Sequence, residues 1–390
     1  MSLTMLCIAT YKKGDEFLRE CRRQGCRVLL VTDETLRDAV DAFYYVHRGM
    51  PPGDVRKGAA FLARTERLDR IVALDDFDVE TAAMLREYLH VHGMGETTGR
   101  AFRDKLAMRS RARAAAIACP EFVHPVNHEA IHEWTARVTP PWVLKPRSQA
   151  AAIGIKKVGS GDELWRILDA LGDERPEYVL EQFVPGDVYH VDSLVFDRRI
   201  VFAAASRYGT PPMAVAHEGG IFVTRTMPED DATTKRLKAM NARVLESFGL
   251  LRGVSHTEFI RSHSGELYFL ETSARVGGAY IVDVVEAATG INLWREWARI
   301  EIAGEYGTYA PPLSRGLFAG IVLSLARQEE PDLSGYTDPE IVTRVRKHHH
   351  AGLIVSAPDE QRVRALVESY ATRFYTDFHA SAPPPERATD

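Results

Sequence analysis

GVSHTEFIRSHSGELYFLETSAR, residues Gly253 to Arg275, is the stretch whose reading decides the fold. Two runs of extended-type residues flank His263-Ser264-Gly265-Glu266, and Ser-Gly is an acceptable two-residue hairpin turn. With Ser264 and Gly265 as the loop, facing residues have numbers that sum to 529, so Glu258 opposes Glu271 and His256 opposes Ser273. Like charges directly opposite on one face of an antiparallel pair are destabilising. The two-residue period also sets Glu271, Ser273 and Arg275 on one face, against Tyr268, Leu270 and Thr272 on the other. Two carboxylates, a hydroxyl and an arginine suit a divalent cation and a phosphate better than a core. A solvated face with its carboxylates paired to nearby Lys or Arg is the alternative, and the rest of the chain has to decide.

The chain has 390 residues, enough for two or three domains. Net charge is −5 with a pI near 6.3, so no global basic field recommends nucleic acid or an anionic membrane as a partner. No run approaches the roughly 20 apolar residues of a membrane span, and no secretion signal is expected. The cysteines are Cys7, Cys21, Cys26 and Cys119, with no CxxC, which fits buried free thiols in a reducing cytoplasm. His348, His349 and His350, beside Arg344, Arg346 and Lys347, are expected to form a solvated basic turn rather than a metal site.

Along the chain, apolar runs at 5–10, 27–32, 43–46 and 71–74 alternate with helical patterns at 15–23 and 79–90. That alternation predicts a parallel sheet with helices on both faces. The first strand leads into Tyr11-Lys12-Lys13-Gly14 and not GxGxxG, which disfavours a nicotinamide enzyme despite the Rossmann-like start. Gly93 to Gly99 (GMGETTG) is a likely boundary, followed by a basic helical segment over 101–118. Most of its charges suit a solvated face, while Lys105 can reach a phosphate as a mobile point charge. Trp142 to Arg147 (WVLKPR) reads as a strand with Lys145 inside it, which needs a counter-charge. The small-residue loop 148–154 then lets backbone N–H groups approach phosphates and can close as a flap. Strands follow at 178–184, 189–196, 199–207 and 219–227, a helix at 230–248, and helices after Gly277-Gly278. Strands at 316–325 and 352–356 and a helix at 360–374 precede a Pro-rich, polar tail at 381–390, expected to be disordered.

Taken together, RDKLAMR, WVLKPRSQAAAIG, VLEQFVPG, HTEF and FLETSARVGG occur in the order and at the approximate spacing of the ATP-grasp superfamily, which the chain resembles from about Met5 to Phe378. The branch it is most similar to holds biotin carboxylase, carbamoyl phosphate synthetase and the carboxylate–amine ligases. The resemblance implies an α/β and α+β fold. A Rossmann-like N-terminal domain (1–95) would precede a two-subdomain ATP-grasp domain (96–312, flap about 148–154) and a small C-terminal α+β segment (313–380).

The same resemblance implies roles for matching residues. Lys105 and Lys145 would contact the ATP phosphates, with the loop from Gln149 to Gly154 folding over them. Glu181, Gln182, Phe183 and Val184 would form the hinge that reads adenine. Glu258, Glu271 and Ser273 would hold magnesium, with manganese as a substitute. Arg275 would face the transferring phosphoryl group, and His256 would sit beside the metal face. Ser273 stands where many relatives carry Asn, and the acid that often holds ribose falls at Asp187, one place before the usual position, here Val188. The substrate pocket is expected near Gly277 and Gly278, with Arg207 as the candidate for the substrate carboxylate and Arg225 in reserve.

The implied activity is an ATP- and magnesium-dependent ligase that activates a carboxylate, an amino acid among the options, as an acyl phosphate and joins it to an amine. The alternatives are a bicarbonate-activating enzyme like biotin carboxylase and a non-catalytic ATP-binding module. Small-molecule acids and amines are the expected partners, a homodimer is left open, and no nucleic acid or membrane is expected.

Overall fold

The computed structural model of the chain describes residues 2–32, 40–45, 50–150, 152–304 and 307–380. The tail at 381–390 and the end of the strand expected at 43–46 lie outside them. Three sheets organise the described residues. The first is parallel: β1 (Thr4–Ala9), β2 (Arg27–Thr32), β3 (Ala42–Tyr45) and β4 (Arg70–Ala73), in the order β3-β2-β1-β4. Its centre strand is apolar on both faces because helices cover both. Met5 and Cys7 pack towards Phe17, Leu18 and Cys21 of the helix Asp15–Arg23, and Leu6 and Ile8 pack the other way.

The second sheet is small and antiparallel: β5 (Phe122–Val123), β6 (Trp142–Pro146), β7 (Lys156–Val158) and β8 (Tyr178–Gln182), ordered β5-β8-β6-β7. Ile131 and Trp134 of the helix His128–Arg137 and Leu164 and Leu168 of the helix Gly161–Leu171 close its core. The loop at 148–154 joins β6 to β7, as its small residues suggested, although residue 151 is not described.

The third sheet is antiparallel throughout. It contains β9 (Gly186–Phe196), β10 (Arg199–Tyr208), β11 (Phe222–Thr226), β12 (Gly253–Ser262), β13 (Leu267–Ser273), β14 (Phe318–Leu325), β15 (Ile341–Arg344) and β16 (His350–Ala357), ordered β13-β12-β9-β10-β11-β14-β16-β15. The C-terminal strands thus extend the same sheet through β11. On one face Tyr189, Val191, Phe259 and Phe269 pack with Leu237, Val244, Leu245 and Phe248 of the helix Ala232–Phe248.

The basic segment is not one helix from 101 to 118. A short helix, Glu96–Ala101, ends before Asp104, and a new helix, Lys105–Ala114, starts there. Asp104 accepts from the N–H groups of Leu106 and Ala107, which caps the new helix and makes Lys105 its first residue.

The quoted hairpin is real, with a different turn. Ser262 N–H donates to Glu266 O at 2.8 Å, so the loop has three residues, His263, Ser264 and Gly265. Gly265 takes φ 88°, the left-handed position that ends such a loop and that a side chain would strain. Near the turn Arg261 therefore pairs with Leu267 and Phe259 with Phe269, one step off the expected sum. A bulge at Leu270 then inserts one extra residue and restores the expected pairs, Glu258 with Glu271 and His256 with Ser273.

Candidate active site

The expected carboxylate face survives because these two departures from regular pairing cancel. Glu258 and Glu271 are directly opposed, on the face shared by His190 and Asp192 of β9, since Glu258 pairs with His190 and His256 with Asp192. Each carboxylate has a fixed neighbour. Tyr208 Oη donates to Glu258 Oε1 at 2.7 Å, and Lys105 Nζ lies 3.1 Å from Glu271 Oε2. Burial alone would raise the Glu271 pKa, but Lys105, Lys145 and Arg275 outweigh it and hold the group well below the usual carboxylate range. Its side chain is still 36% exposed, so it looks into a cleft and not into the core. Ser273 is buried opposite His256.

Lys105 also donates to Gln149 O at 2.7 Å, which ties the first turn of its helix to the start of the 148–154 loop. Two neighbours reinforce that tie: Arg103 donates to Ser148 O, and Arg147 pairs with the helix cap Asp104. The loop's stem is therefore anchored next to the carboxylates, and its far end, Gly154, comes back towards Pro146.

Lys145 has the counter-charge its strand position demanded. Its Nζ is 2.8 Å from Glu181 Oε2, and Arg109 Nε is 2.9 Å from Glu181 Oε1. Glu181 is 1% exposed, and burial would raise its pKa, yet Arg109 and Lys145 together lower it. Its carboxylate is committed to the buried Arg109 and the partly buried Lys145, which departs from a direct contact with adenine. Arg109 itself, expected on a solvated face, is fully buried and also donates to the carbonyl of Leu270, the bulge residue. In the hinge, the N–H groups of Gln182 and Phe183 bond Glu121 O and Pro141 O.

Arg275 extends the face towards the N-terminal sheet. Its Nη1 donates to Val276 O at 3.0 Å, and its Nε lies 3.9 Å from Asp76 Oδ1, beyond hydrogen-bond reach. Burial disfavours its charge, but Asp76, Asp75 and Glu271 more than compensate and raise its pKa. Asp76 follows β4 and also accepts from Arg103 at 3.2 Å, while Asp75 pairs with Lys13 at 2.5 Å. Gly277 is buried against Asp192 and His256, and Gly278 is exposed.

Two candidates fall on the wrong side of the sheet. A regular hairpin through the turn at Asp197-Arg198 would set Arg207 opposite Val188, on the carboxylate face. A bulge between Ile200 and Phe202 shifts the register, so Arg207 pairs with Tyr189 and faces the other way. Arg225 lies opposite Arg207 and shares that face. Each has a partner there: Asp187 Oδ1 is 2.9 Å from Arg207 Nη2, and Glu360 pairs with Arg225. The substrate-carboxylate assignment of both arginines is corrected accordingly, and Asp187, held on the same back face, is not aimed at the cleft.

Several site residues escape a reading of the sequence: His190, Asp192, Tyr208, Asp76 and the inward turn of Arg109. The signal for two of them was present. His190 and Asp192 are alternate polar residues inside an apolar strand (VYHVDSLVF), the same pattern that singled out Glu271 and Ser273. Asp192 is fully buried between two imidazoles, with Oδ2 2.6 Å from His190 Nδ1 and Oδ1 2.8 Å from His256 Nδ1. Burial works against charge on both partners, but the pairing lowers the Asp192 pKa and raises that of His256 to about 9.

Against known structures, the chain superposes on an L-amino acid ligase from Bacillus licheniformis with a TM-score of 0.76 at 16% identity, covering 97% of this chain and 98% of that one. The chain shares the fold of that ligase. The likeness of fold extends to the biotin carboxylase domain of the Hydrogenobacter thermophilus 2-oxoglutarate carboxylase, a dimer in complex with MgADP, ADP and bicarbonate. There the TM-score is 0.69 at 16% identity, covering 98% of this chain and 91% of that one. In sequence, an L-arginine-specific L-amino acid ligase of Bacillus subtilis is 25% identical over 241 residues. That match covers 60% of this chain and 58% of the relative, so the chain spans under two thirds of its length. No family model matches the chain. Among the described residues, no helix is long and apolar enough to cross a membrane.

Proposed function

We propose that this protein is an ATP- and magnesium-dependent ligase of the ATP-grasp superfamily. It activates a carboxylate, an amino acid being the favoured class, as an acyl phosphate and joins it to an amine with release of ADP and phosphate. The observation that carries the proposal is the convergence of Lys105, Lys145, Glu258, Glu271 and Arg275 from three parts of the chain on one cleft. The L-amino acid ligases among its relatives support the amino acid as substrate class.

Phosphoryl transfer needs charge neutralisation and alignment more than covalent help from the protein. Lys105 and Lys145 meet the phosphates in this reading, each already held by a carboxylate that sets its place. Glu258 and Glu271 present hard oxygen donors directly opposite one another, with Ser273 beside them, and that donor set fits magnesium. When bound, magnesium neutralises phosphate charge, and manganese would serve the same carboxylates. Arg275 lies next to the face and addresses the charge that develops on the phosphoryl group. The 148–154 loop keeps water from the acyl phosphate. With the N–H groups of Gln182 and Phe183 engaged, Val184 is the hinge residue we assign to the base. A reducing cytoplasm suits the four free cysteines, and a homodimer is part of the proposal by analogy with the biotin carboxylase domain dimer.

The test is an ADP-release screen over amino acids and small carboxylates, with amine acceptors, using wild type and Glu271→Ala. Substrate-dependent ADP release that the variant loses is the expected result. Tight ATP binding with no ADP formed over the whole panel would favour a non-catalytic module instead. Incorporation of labelled bicarbonate would favour a carboxylase.

A further inference from the structure

A line of polar groups crosses the middle of the large sheet beneath Glu258. Thr224 of β11, His190 and Asp192 of β9 and His256 of β12 are all buried. His190 Nε2 lies 2.8 Å from Thr224 Oγ1, and His190 Nδ1 lies 2.6 Å from Asp192 Oδ2. On the other side, Asp192 Oδ1 lies 2.8 Å from His256 Nδ1, and His256 Nε2 is 3.6 Å from Glu258 Oε1. A carboxylate in an apolar interior is costly unless its oxygens are hydrogen-bonded, and here each oxygen meets one imidazole. The hydrogen bond at Nδ1 fixes the plane of each ring and the nitrogen left over, as a carboxylate does behind a metal-bound or catalytic histidine. The roof is tight as well. A methyl group on Gly277 would lie 3.0 Å from both Asp192 Oδ1 and His256 Nδ1, so only glycine lets the chain pass there without moving the pair.

We propose that Asp192 is a positioning residue: braced by His190 and Thr224, it orients His256 so that Nε2 faces Glu258, and thereby sets the direction in which Glu258 offers its carboxylate to the cation. Tyr208 holds the same Glu258 Oε1 by a hydrogen bond of 2.7 Å, while His256 Nε2 at 3.6 Å faces it as an ion-pair neighbour beyond hydrogen-bond reach, so the oxygen has a donor on one side and an imidazole on the other. Partners of this kind behind a ligand typically change metal affinity by about 10- to 100-fold when removed. The proposal rests on Glu258 being a magnesium ligand.

The experiment measures magnesium affinity in the presence of ADP by calorimetry on the full chain, for wild type, Glu258→Gln, Asp192→Asn and His190→Gln. ADP affinity without metal and circular dichroism serve as references. Glu258→Gln should weaken magnesium binding, and Asp192→Asn should weaken it by about 10- to 100-fold with metal-free ADP affinity and fold unchanged. In a Glu258→Gln background, Asp192→Asn should add nothing. An unchanged magnesium affinity in Glu258→Gln would overturn the assignment of the site itself. Weakening in Glu258→Gln but none in Asp192→Asn would overturn the positioning role alone. If Asp192→Asn does not fold, His190→Gln, which keeps the carboxylate and removes its brace, decides by the same criterion. His190, Asp192 and His256 are also close enough to be metal ligands themselves. A tightly held transition metal that survives dialysis and is lost in Asp192→Asn would replace the clamp by a second metal site.

Discussion

Lys105 Nζ lies 3.1 Å from Glu271 Oε2 and 2.7 Å from Gln149 O, so one ammonium joins a carboxylate of the hairpin to the stem of the 148–154 loop. Lys105→Met keeps most of the side chain's bulk and removes the charge. It should lower kcat for ADP release by about 100-fold or more, the usual effect of deleting one preorganised phosphate-side donor. Steady-state kinetics checks this, and a change below about threefold would contradict the role.

Arg275 sits beside the same face with Asp76 at 3.9 Å. A planar guanidinium offers several donors in fixed directions, whereas lysine is a single flexible point charge. Arg275→Lys should therefore fail to restore activity, with kcat down by about 100-fold and the KM for ATP changed far less. A raised KM with kcat unchanged would assign Arg275 to ground-state binding instead.

Arg207 is the control. The bulge in β10 turns it to the back of the sheet, where Asp187 is its partner. Arg207→Gln should leave kcat/KM as in wild type and alter stability by no more than about 0.5 kcal/mol. A large rise in KM for the acid substrate would restore Arg207 to the pocket.

Glu181 ties Arg109 and Lys145 together in the core. Glu181→Gln would leave the buried Arg109 and the partly buried Lys145 without their charge partner and should cost about 3–5 kcal/mol at neutral pH. The folded-state pKa of Glu181 is lowered, so its stabilisation is present above the unfolded value near ~4.3 and is lost as the pH falls through the folded value. The gap between wild type and variant should be full at pH 7 and shrink below about pH 4. Urea unfolding at a series of pH values measures it, and a gap that widened towards acid would reverse the sign.

Sequence reasoning recovers the β9–β10 and β12–β13 hairpins, the parallel N-terminal sheet and the need of Lys145 for a counter-charge, because each rests on local pattern. Alternation with period two puts Glu271 and Ser273 on one face whatever else the strand packs against. A lysine inside an apolar strand announces a missing counter-charge, and Glu181 supplies it. Register is less local. Glu258 faces Glu271 as expected, yet by way of a three-residue loop and a bulge at Leu270 that cancel each other. In β10 a single bulge has no such compensation and carries Arg207 to the opposite face. One inserted residue flips every side chain beyond it, and nothing in the composition of either strand marks the insertion.

What the residues determine by themselves is a set of groups, carboxylates, lysines, a small-residue loop and an arginine, that suits a divalent cation and a phosphate; that the phosphate belongs to ATP is what the resemblance implies. What only the tertiary structure decided is which of them meet. β9 lies between β12 and β10 in the sheet, and that order, absent from the sequence, brings Asp192 against His256, 64 residues away along the chain. Contacts between strands distant in sequence depend on strand order and register, which the sheet sets as a whole when both faces find their cores.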